Sequence, residues 1–204
     1  MRDRSLALSC IAVLALVISQ VCCEFAPRDI RSLDGSGRVY FVTLGEFPRT
    51  LQDALAEHYR KKYNLEIQML STIKMDMASF DVQRQQLIAE EAIRLMRSDF
   101  PDLAADPKAI LIGLTTQDMY IRNKTWRFAF SYREGERFAV VSSGRMHIGL
   151  SAAESIVFQT RVRKMVTKNI GILYYHLPIS VYRQSVLYGN VGGIEELDGM
   201  GEEF

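Results

Sequence analysis

All three cysteines of the chain, Cys10, Cys22 and Cys23, fall within its first 23 residues. Taking those 23 from a length of 204 leaves 181 residues with no cysteine at all. Whatever domain follows has no disulfide, no thiolate nucleophile and no cysteine metal ligand. It must be held by an apolar core, and a chain of that length can enclose one. The composition agrees: 48% hydrophobic and 24% charged residues describe a globular protein rather than a disordered one. With 25 basic and 24 acidic residues the formal charge is +1. No global field attracts nucleic acid or an anionic membrane, so neither is expected as a partner.

The cysteine-bearing segment reads as an address. Arg2 and Arg4 precede an apolar run from Leu6 to Ile18, broken only by Ser9 and Cys10. A charged, Pro-containing stretch begins at Glu24. A basic start, a short apolar run and small residues at its end describe a secretory signal. The run is shorter than the roughly 20 residues a spanning helix needs, so no membrane span is expected in the mature form. Val21 and Cys23 suit the positions three and one before a cut, which predicts cleavage before Glu24 and an exported protein, periplasmic or secreted. A retained N-terminal anchor is the alternative. Lipidation at Cys22 or Cys23 would want smaller residues than Gln20 and Val21. Losing Arg2, Asp3 and Arg4 leaves 23 basic and 23 acidic residues, a net charge of zero.

Residues 24–37, with Pro27, Gly35, Ser36 and Gly37, read as a surface lead-in. The domain proper is 38–204, and its pattern is α/β. Val39–Leu44 is a buried-type strand. Leu51, Ala54, Leu55, His58, Tyr59 and Lys62 recur at helical spacing, which predicts an amphipathic helix over 50–63. Leu65, Ile67 and Met69 alternate with polar residues as a half-buried strand. Asp81 is read as the cap of a helix running to about Arg97, with Leu87, Ile88, Ala92, Leu95 and Met96 inward. Ala109–Leu114 is a second apolar strand. Thr125–Phe130 and Arg137–Ser143 are read as two further strands, with Glu134-Gly135 in a hairpin connection. Ser151 and Glu154 form a capping box that opens a helix to about His176, which Pro178 ends. The order predicts a single α/β (α+β) domain with a mixed sheet and flanking helices.

Common active-site motifs are absent. There is no HExxH, no GxSxG elbow, no Walker loop and no GxGxxG. Ser71-Thr72-Ile73-Lys74 fits S-x-x-K, but the companion motifs of that enzyme class are missing. His58 sits on a helix's apolar stripe and reads as a partly buried, satisfied histidine. His147 reads as a loop residue, and His176 as a helix C-terminal residue whose cation suits the dipole. Asn123-Lys124-Thr125 is a glycosylation sequon, meaningful in a host that glycosylates exported proteins.

Several segments, in order, resemble archaemetzincins, a family of zinc-dependent metzincin peptidases. They are Val39-Tyr40-Phe41-Val42-Thr43-Leu44-Gly45, the run Asp81-Val82-Gln83-Arg84-Gln85-Gln86, and Gly113-Leu114-Thr115-Thr116-Gln117-Asp118-Met119-Tyr120 with its G-x-T-x-x-D-x-Y pattern. Trp126–Phe130 and then Phe138–Ser143 with Arg145 look like the strand pair before the family's active-site helix. The resemblance spans about residues 39–200 and implies a metzincin-like (zincin-like) fold. It also implies a zinc motif, H-E-x-x-H-x-x-G-x-x-H-C, and this chain departs from it. The three ligand positions hold Thr167, Gly171 and Leu177; the general-base position holds Lys168; the turn glycine is Tyr174; the cysteine is Pro178. Ser185–Asn190 looks like the Met-turn, with Leu187 at its methionine.

A catalytic zinc needs three N, O or S ligands and an open position for water, and a neighbouring base to take the proton. A neutral hydroxyl, a bare backbone and an apolar side chain supply no such set, and a lysine cation repels a divalent ion. The expectation is therefore an exported, catalytically inactive protease homologue with no catalytic residues, no metal ligands and no cofactor. It would act as a binding or scaffolding module for a peptide or protein partner, with Thr167, Lys168, Gly171 and Tyr174 along a degenerate cleft. The alternative is an active zinc peptidase drawing ligands from His147, His176, Glu195, Glu196 or Asp198. A non-metal enzyme or unrelated structural protein is the third reading. On pattern alone the helix is an ordinary core helix, with Met165, Val166, Asn169, Ile170, Leu173 and Leu177 apolar and Arg161, Lys164 and Lys168 as a solvated basic face.

Overall fold

A computed structural model describes residues 33–150 and 155–204. The leader 1–23 with its cysteines, the first part of the lead-in and the Ser151/Glu154 capping box lie outside the described residues. Strand β1 (Arg38–Thr43) leads into helix α1 (Arg49–Tyr63) and strand β2 (Ile67–Met69). Strands β3 (Phe80–Asp81) and β4 (Gln86–Ile88) precede helices α2 (Ala89–Asp99) and α3 (Pro101–Ala105). Then come β5 (Ala109–Thr115), β6 (Met119–Tyr120), β7 (Ser131–Glu134) and β8 (Phe138–Ser142). Two helices, α4 (Ser155–Leu173) and α5 (Ile194–Gly199), complete the chain.

The main sheet has the order β2-β1-β5-β8-β7, parallel except for the β7–β8 hairpin. Strand residues alternate between its two faces. Val39, Phe41, Ile110, Ile112, Ala139 and Val141 face α1 and α4, while Tyr40, Val42, Leu111 and Val140 face α2. With both faces covered, β5 is buried along its whole length, as parallel strands between helical layers are. This is the mixed α/β domain expected from the pattern. Among the described residues no helix is long and apolar enough to cross a membrane.

Three expected elements differ. The helix read from Asp81 begins only at Ala89. Asp81 Oδ1 accepts from the N–H groups of Gln83 and Arg84, both at 3.0 Å, so it closes a turn, and Gln85 takes a left-handed φ of 52°. Leu87 and Ile88 then pair with Met119 and Tyr120 in a small second sheet, β3-β4-β6. An aspartate followed by apolar residues signals either outcome, and pairing with a distant segment selects the strand.

Thr125–Phe130 forms no strand, and the hairpin's first strand is β7. Arg84 holds the carbonyls of Trp126 and Arg127 at 3.3 and 3.0 Å, and the Gln86 amide holds that of Arg127 at 3.0 Å. Side chains thus take the acceptors a ladder would have used. Finally, α4 stops at Leu173, five residues short of Pro178. The chain leaves it through His176 at φ 53°, with the Leu177 N–H donating to Gly171 O at 2.9 Å. His176 is therefore not in the helix's last turn.

Candidate functional site

Helix α4, the most buried helix of the described residues, carries Thr167, Lys168 and Gly171, whereas Tyr174, Leu177 and Pro178 of the stretch aligned with the zinc motif lie beyond its end. Thr167 is wholly buried, and its Oγ1 shares a hydrogen bond of 2.8 Å with the Tyr59 hydroxyl from α1. One turn on, a Cβ added to Gly171 would collide with the ring of Phe204 and stand 2.8 Å from Leu187 Cδ2. Glycine is what allows both side chains to rest on the helix backbone. Leu177 is buried in the same core. The corresponding positions therefore converge, but on apolar packing and a neutral hydroxyl pair.

Phe204 extends a set of rings: it meets Tyr63 at 5.5 Å and Tyr175 at 5.4 Å between centroids, both edge-on. Burial pushes the Tyr63 and Tyr175 hydroxyls up to about 12, and the Tyr63 hydroxyl is sealed without a partner. Tyr174 lies beyond the helix end, half-buried. Its ring covers Gly35, its carbonyl accepts from the Ser36 N–H at 3.0 Å, and it meets Tyr175 edge-on. It packs at the margin of the core that encloses α4 and reaches Phe204 only through Tyr175.

The basic stripe of α4 is not solvated. Arg161, Lys164 and Lys168 are each 4–5% exposed. Spaced by three and four residues, they fall on one helix face, and that face is covered by the chain after the helix. Arg161 holds Asp198 through two bonds of 2.7 Å and also donates to the carbonyls of Met146 and Ile148. Lys164 donates to the carbonyls of Leu197 and Asp198 at 3.1 and 2.8 Å. Lys168 donates to the Tyr188 carbonyl. Helical periodicity marks a charged face; it cannot see that a later segment arrives with carbonyls to cover it.

Lys168 has no carboxylate partner among the described residues, and desolvation, aided by the nearby Arg133 cation, pushes its ammonium down to about 8. Arg133, on β7, is itself lowered by desolvation and donates to Asn169 Oδ1 at 3.1 Å. At the general-base position, then, stands a buried cation beside another cation. The residues present do not fit a zinc ion: the set lacks three donors, and its charge is of the wrong sign.

The other possible ligands are dispersed. His147 stacks on Phe158 at 3.8 Å. His176 Nε2 meets the Ser36 hydroxyl at 2.6 Å. Asp198 is taken by Arg161. His58 packs edge-on against Tyr59 at 5.1 Å, and burial lowers its pKa to about 4. Among the described residues no three of His, Cys, Asp and Glu stand close enough to share an ion.

The residues that carry the family resemblance do come together, on the opposite side of the sheet. Asp118 accepts from the Gln86 amide at 2.8 Å and from Arg145 at 2.8 Å. The Tyr120 hydroxyl donates to Asp81 at 2.9 Å, and the Arg84 guanidinium lies 4.0 Å over the Tyr120 ring. Three separate sequence segments thus form one polar network that joins the small sheet to the loop after β8. Sequence inspection missed Tyr59, Phe204 and Arg133. Only the tyrosine carried a signal, as one apolar position on a helical stripe among several.

No family model matches the chain. It is 28% identical to an archaemetzincin of Haloquadratum walsbyi over 138 residues, 65% of this chain and 76% of that protein. Its fold is similar to the archaemetzincin of Archaeoglobus fulgidus, with TM-score 0.63 and 19% identity over 81% of this chain and 94% of that one. The archaemetzincin of Methanopyrus kandleri gives 0.61 and 21%, over 88% and 92%. A zinc-dependent peptidase of Methanocorpusculum labreanum gives 0.63 and 18%, over 81% and 95%. In sequence and in fold, the chain is archaemetzincin-like.

Proposed function

We propose that this protein is an exported archaemetzincin-like domain without peptidase activity that binds extended peptide segments. One observation carries the reading: the positions that hold metal and base in the motif are here Thr167 bonded to Tyr59, Gly171 under Phe204 and Leu187, and Lys168 bonded to a backbone carbonyl. Each is committed to packing or to an internal hydrogen bond, and none offers a free donor to an ion.

The peptide-binding part rests on β7, an edge strand of the sheet. Ser142 N–H bonds to Phe130 O, so in the register of this hairpin Tyr132 and Glu134 face β8 with their backbone groups. Those of Ser131 and Arg133 point to the free edge, where an extended segment can add a strand. Export rests on the order of residues 1–23 and on a domain that needs no cysteine.

Metal analysis and a casein digestion with and without chelator test the first part. Less than one-tenth equivalent of zinc and no chelator-sensitive cleavage are expected, and one tight equivalent of zinc with cleavage overturns it. Binding of casein-derived peptides, compared with a Ser131→Pro variant that loses one outward N–H, tests the second. Intact mass of the exported protein is expected to begin at Glu24.

A further inference from the structure

The sheet has a concave feature that is lined by none of the positions just described. Between β1 and β5 the chain changes sides: α1 leaves β1 over one face, and α2 returns to β5 over the other. The loops that follow β1, β2 and β5 meet at the carboxyl ends of these strands around one crevice, and ligands of α/β sheets bind in such crevices. Here it is a cavity of about 830 Å³, a size suited to a small molecule.

Two side chains that line it have no hydrogen-bond partner among the described residues. Thr43, at the end of β1, is 5% exposed and Gln52, on α1, is 9% exposed. Neither the Thr43 hydroxyl nor the Gln52 amide bonds to another described residue, and neither is sealed from the cavity. Their polar atoms reach the cavity, so water or a ligand there supplies the partner that the protein does not.

The surroundings say which ligand. Helix α1 opens on the cavity with Pro48 at its N-cap, no side-chain cap and no acidic residue in its first turn. The Leu51 and Gln52 N–H groups both donate to the Pro48 carbonyl at 3.1 Å, which leaves those of Arg49 and Thr50 without an acceptor inside the helix, and its dipole is positive at this end. Ser71 and Thr72 add hydroxyls from the loop after β2. Thr116 spends its own hydroxyl on the Glu46 carbonyl at 2.9 Å, which fixes the loop between Gly45 and Pro48. Of the two carboxylates on the rim, Asp53 is turned toward Arg49, 3.9 Å away, and Glu46 is exposed to solvent. N–H and O–H donors gathered at a helix N-terminus form the chemistry of an oxyanion site.

We infer that this crevice binds phosphate, as the free ion or as the head of a small phosphomonoester, with the Gln52 amide and the Thr43 hydroxyl donating to it in front of α1. The remaining volume, bounded by Phe47 and Met69, takes the rest of an ester. The site is independent of the peptide-binding reading and uses none of its residues.

Thermal melts and calorimetry on the full chain test this with inorganic phosphate, glycerol phosphate and acetate, each against sodium chloride at equal ionic strength. Phosphate at ten times its Kd is expected to raise Tm by about 3–5 °C, the shift of an elevenfold linkage. Gln52→Leu and Thr43→Val are each expected to melt no lower than the parent in chloride and to bind phosphate at least tenfold more weakly. A larger response to glycerol phosphate than to phosphate identifies the ester, and an equal one the ion. The inference is overturned by no phosphate-specific shift, by an equal shift with acetate, by binding that survives both substitutions, or by both variants melting lower in chloride, which would mean that the two groups serve the fold.

Discussion

Phe204 rests on the bare backbone of Gly171, so that a Cβ at that position would collide with its ring and press on Leu187. The contact joins the last described residue to the final turn of α4, at the position aligned with the zinc motif's second ligand. Gly171→Ala is expected to destabilise the domain by about 1–3 kcal/mol through overpacking. That is the reverse of the gain of up to about 1 kcal/mol that alanine brings to an open helix position. In a Phe204→Ala background the cost should fall below about 0.5 kcal/mol. Urea unfolding of the four proteins measures the coupling, and an equal cost in both backgrounds would show that the ring does not occupy this place.

Lys168 should make stability depend on alkaline pH. Its folded-state pKa of about 8 lies below the ordinary lysine value, so between about 8 and 10 the unfolded chain binds more protons than the folded one. Stability therefore rises with pH in that window, by about 2 kcal/mol. Above pH 10 the raised Tyr63 and Tyr175 act in the opposite sense, because the unfolded tyrosines ionise first. Lys168→Met should flatten the rise between pH 8 and 10. A slope that survives the substitution would place the titration elsewhere.

His58 sets a second window on the acid side. Its pKa is lowered to about 4, first by burial and then by the nearby cations Arg163 and Lys62. The imidazole is half in contact with solvent, so the effect is discounted to about 1–2 kcal/mol. Stability should fall as pH drops from about 6.5 to 4, since the unfolded chain takes up the proton first. Melts of His58→Gln across that range should lose this component and keep the steeper loss below pH 4, where the lowered Glu57 and Asp198 protonate.

Arg161 and Asp198 form an asymmetric pair: the guanidinium is buried, whereas Asp198 is nearly half exposed. Arg161 also serves two carbonyls, so its removal strands more than one group. Arg161→Met is expected to cost about 3–5 kcal/mol and Asp198→Asn about 1 kcal/mol. Denaturant titrations that rank the two in the reverse order would show that the ion pair, rather than the carbonyl cradle, holds the segment after α4.

The sequence by itself determined the apolar strands Val39–Leu44 and Ala109–Leu114, the helix over 50–63 and the core face of α4, because burial writes a period of two or 3.6 into any chain long enough to show it. It also determined the chemistry missing from Thr167, Lys168 and Gly171, since donor atoms belong to side chains before any folding. Tertiary structure alone decided what took their place. Whether Asp81 caps a helix or a turn depended on Met119 and Tyr120 arriving as strand partners. Whether Arg161, Lys164 and Lys168 meet water depended on acceptors 20–37 positions further on, the carbonyls of Tyr188, Leu197 and Asp198 and the Asp198 carboxylate. The contact of Phe204 with Gly171, and the opening onto which Thr43 and Gln52 face, have no periodic signature. Each arises from segments distant in sequence, and only the folded chain brings them within reach.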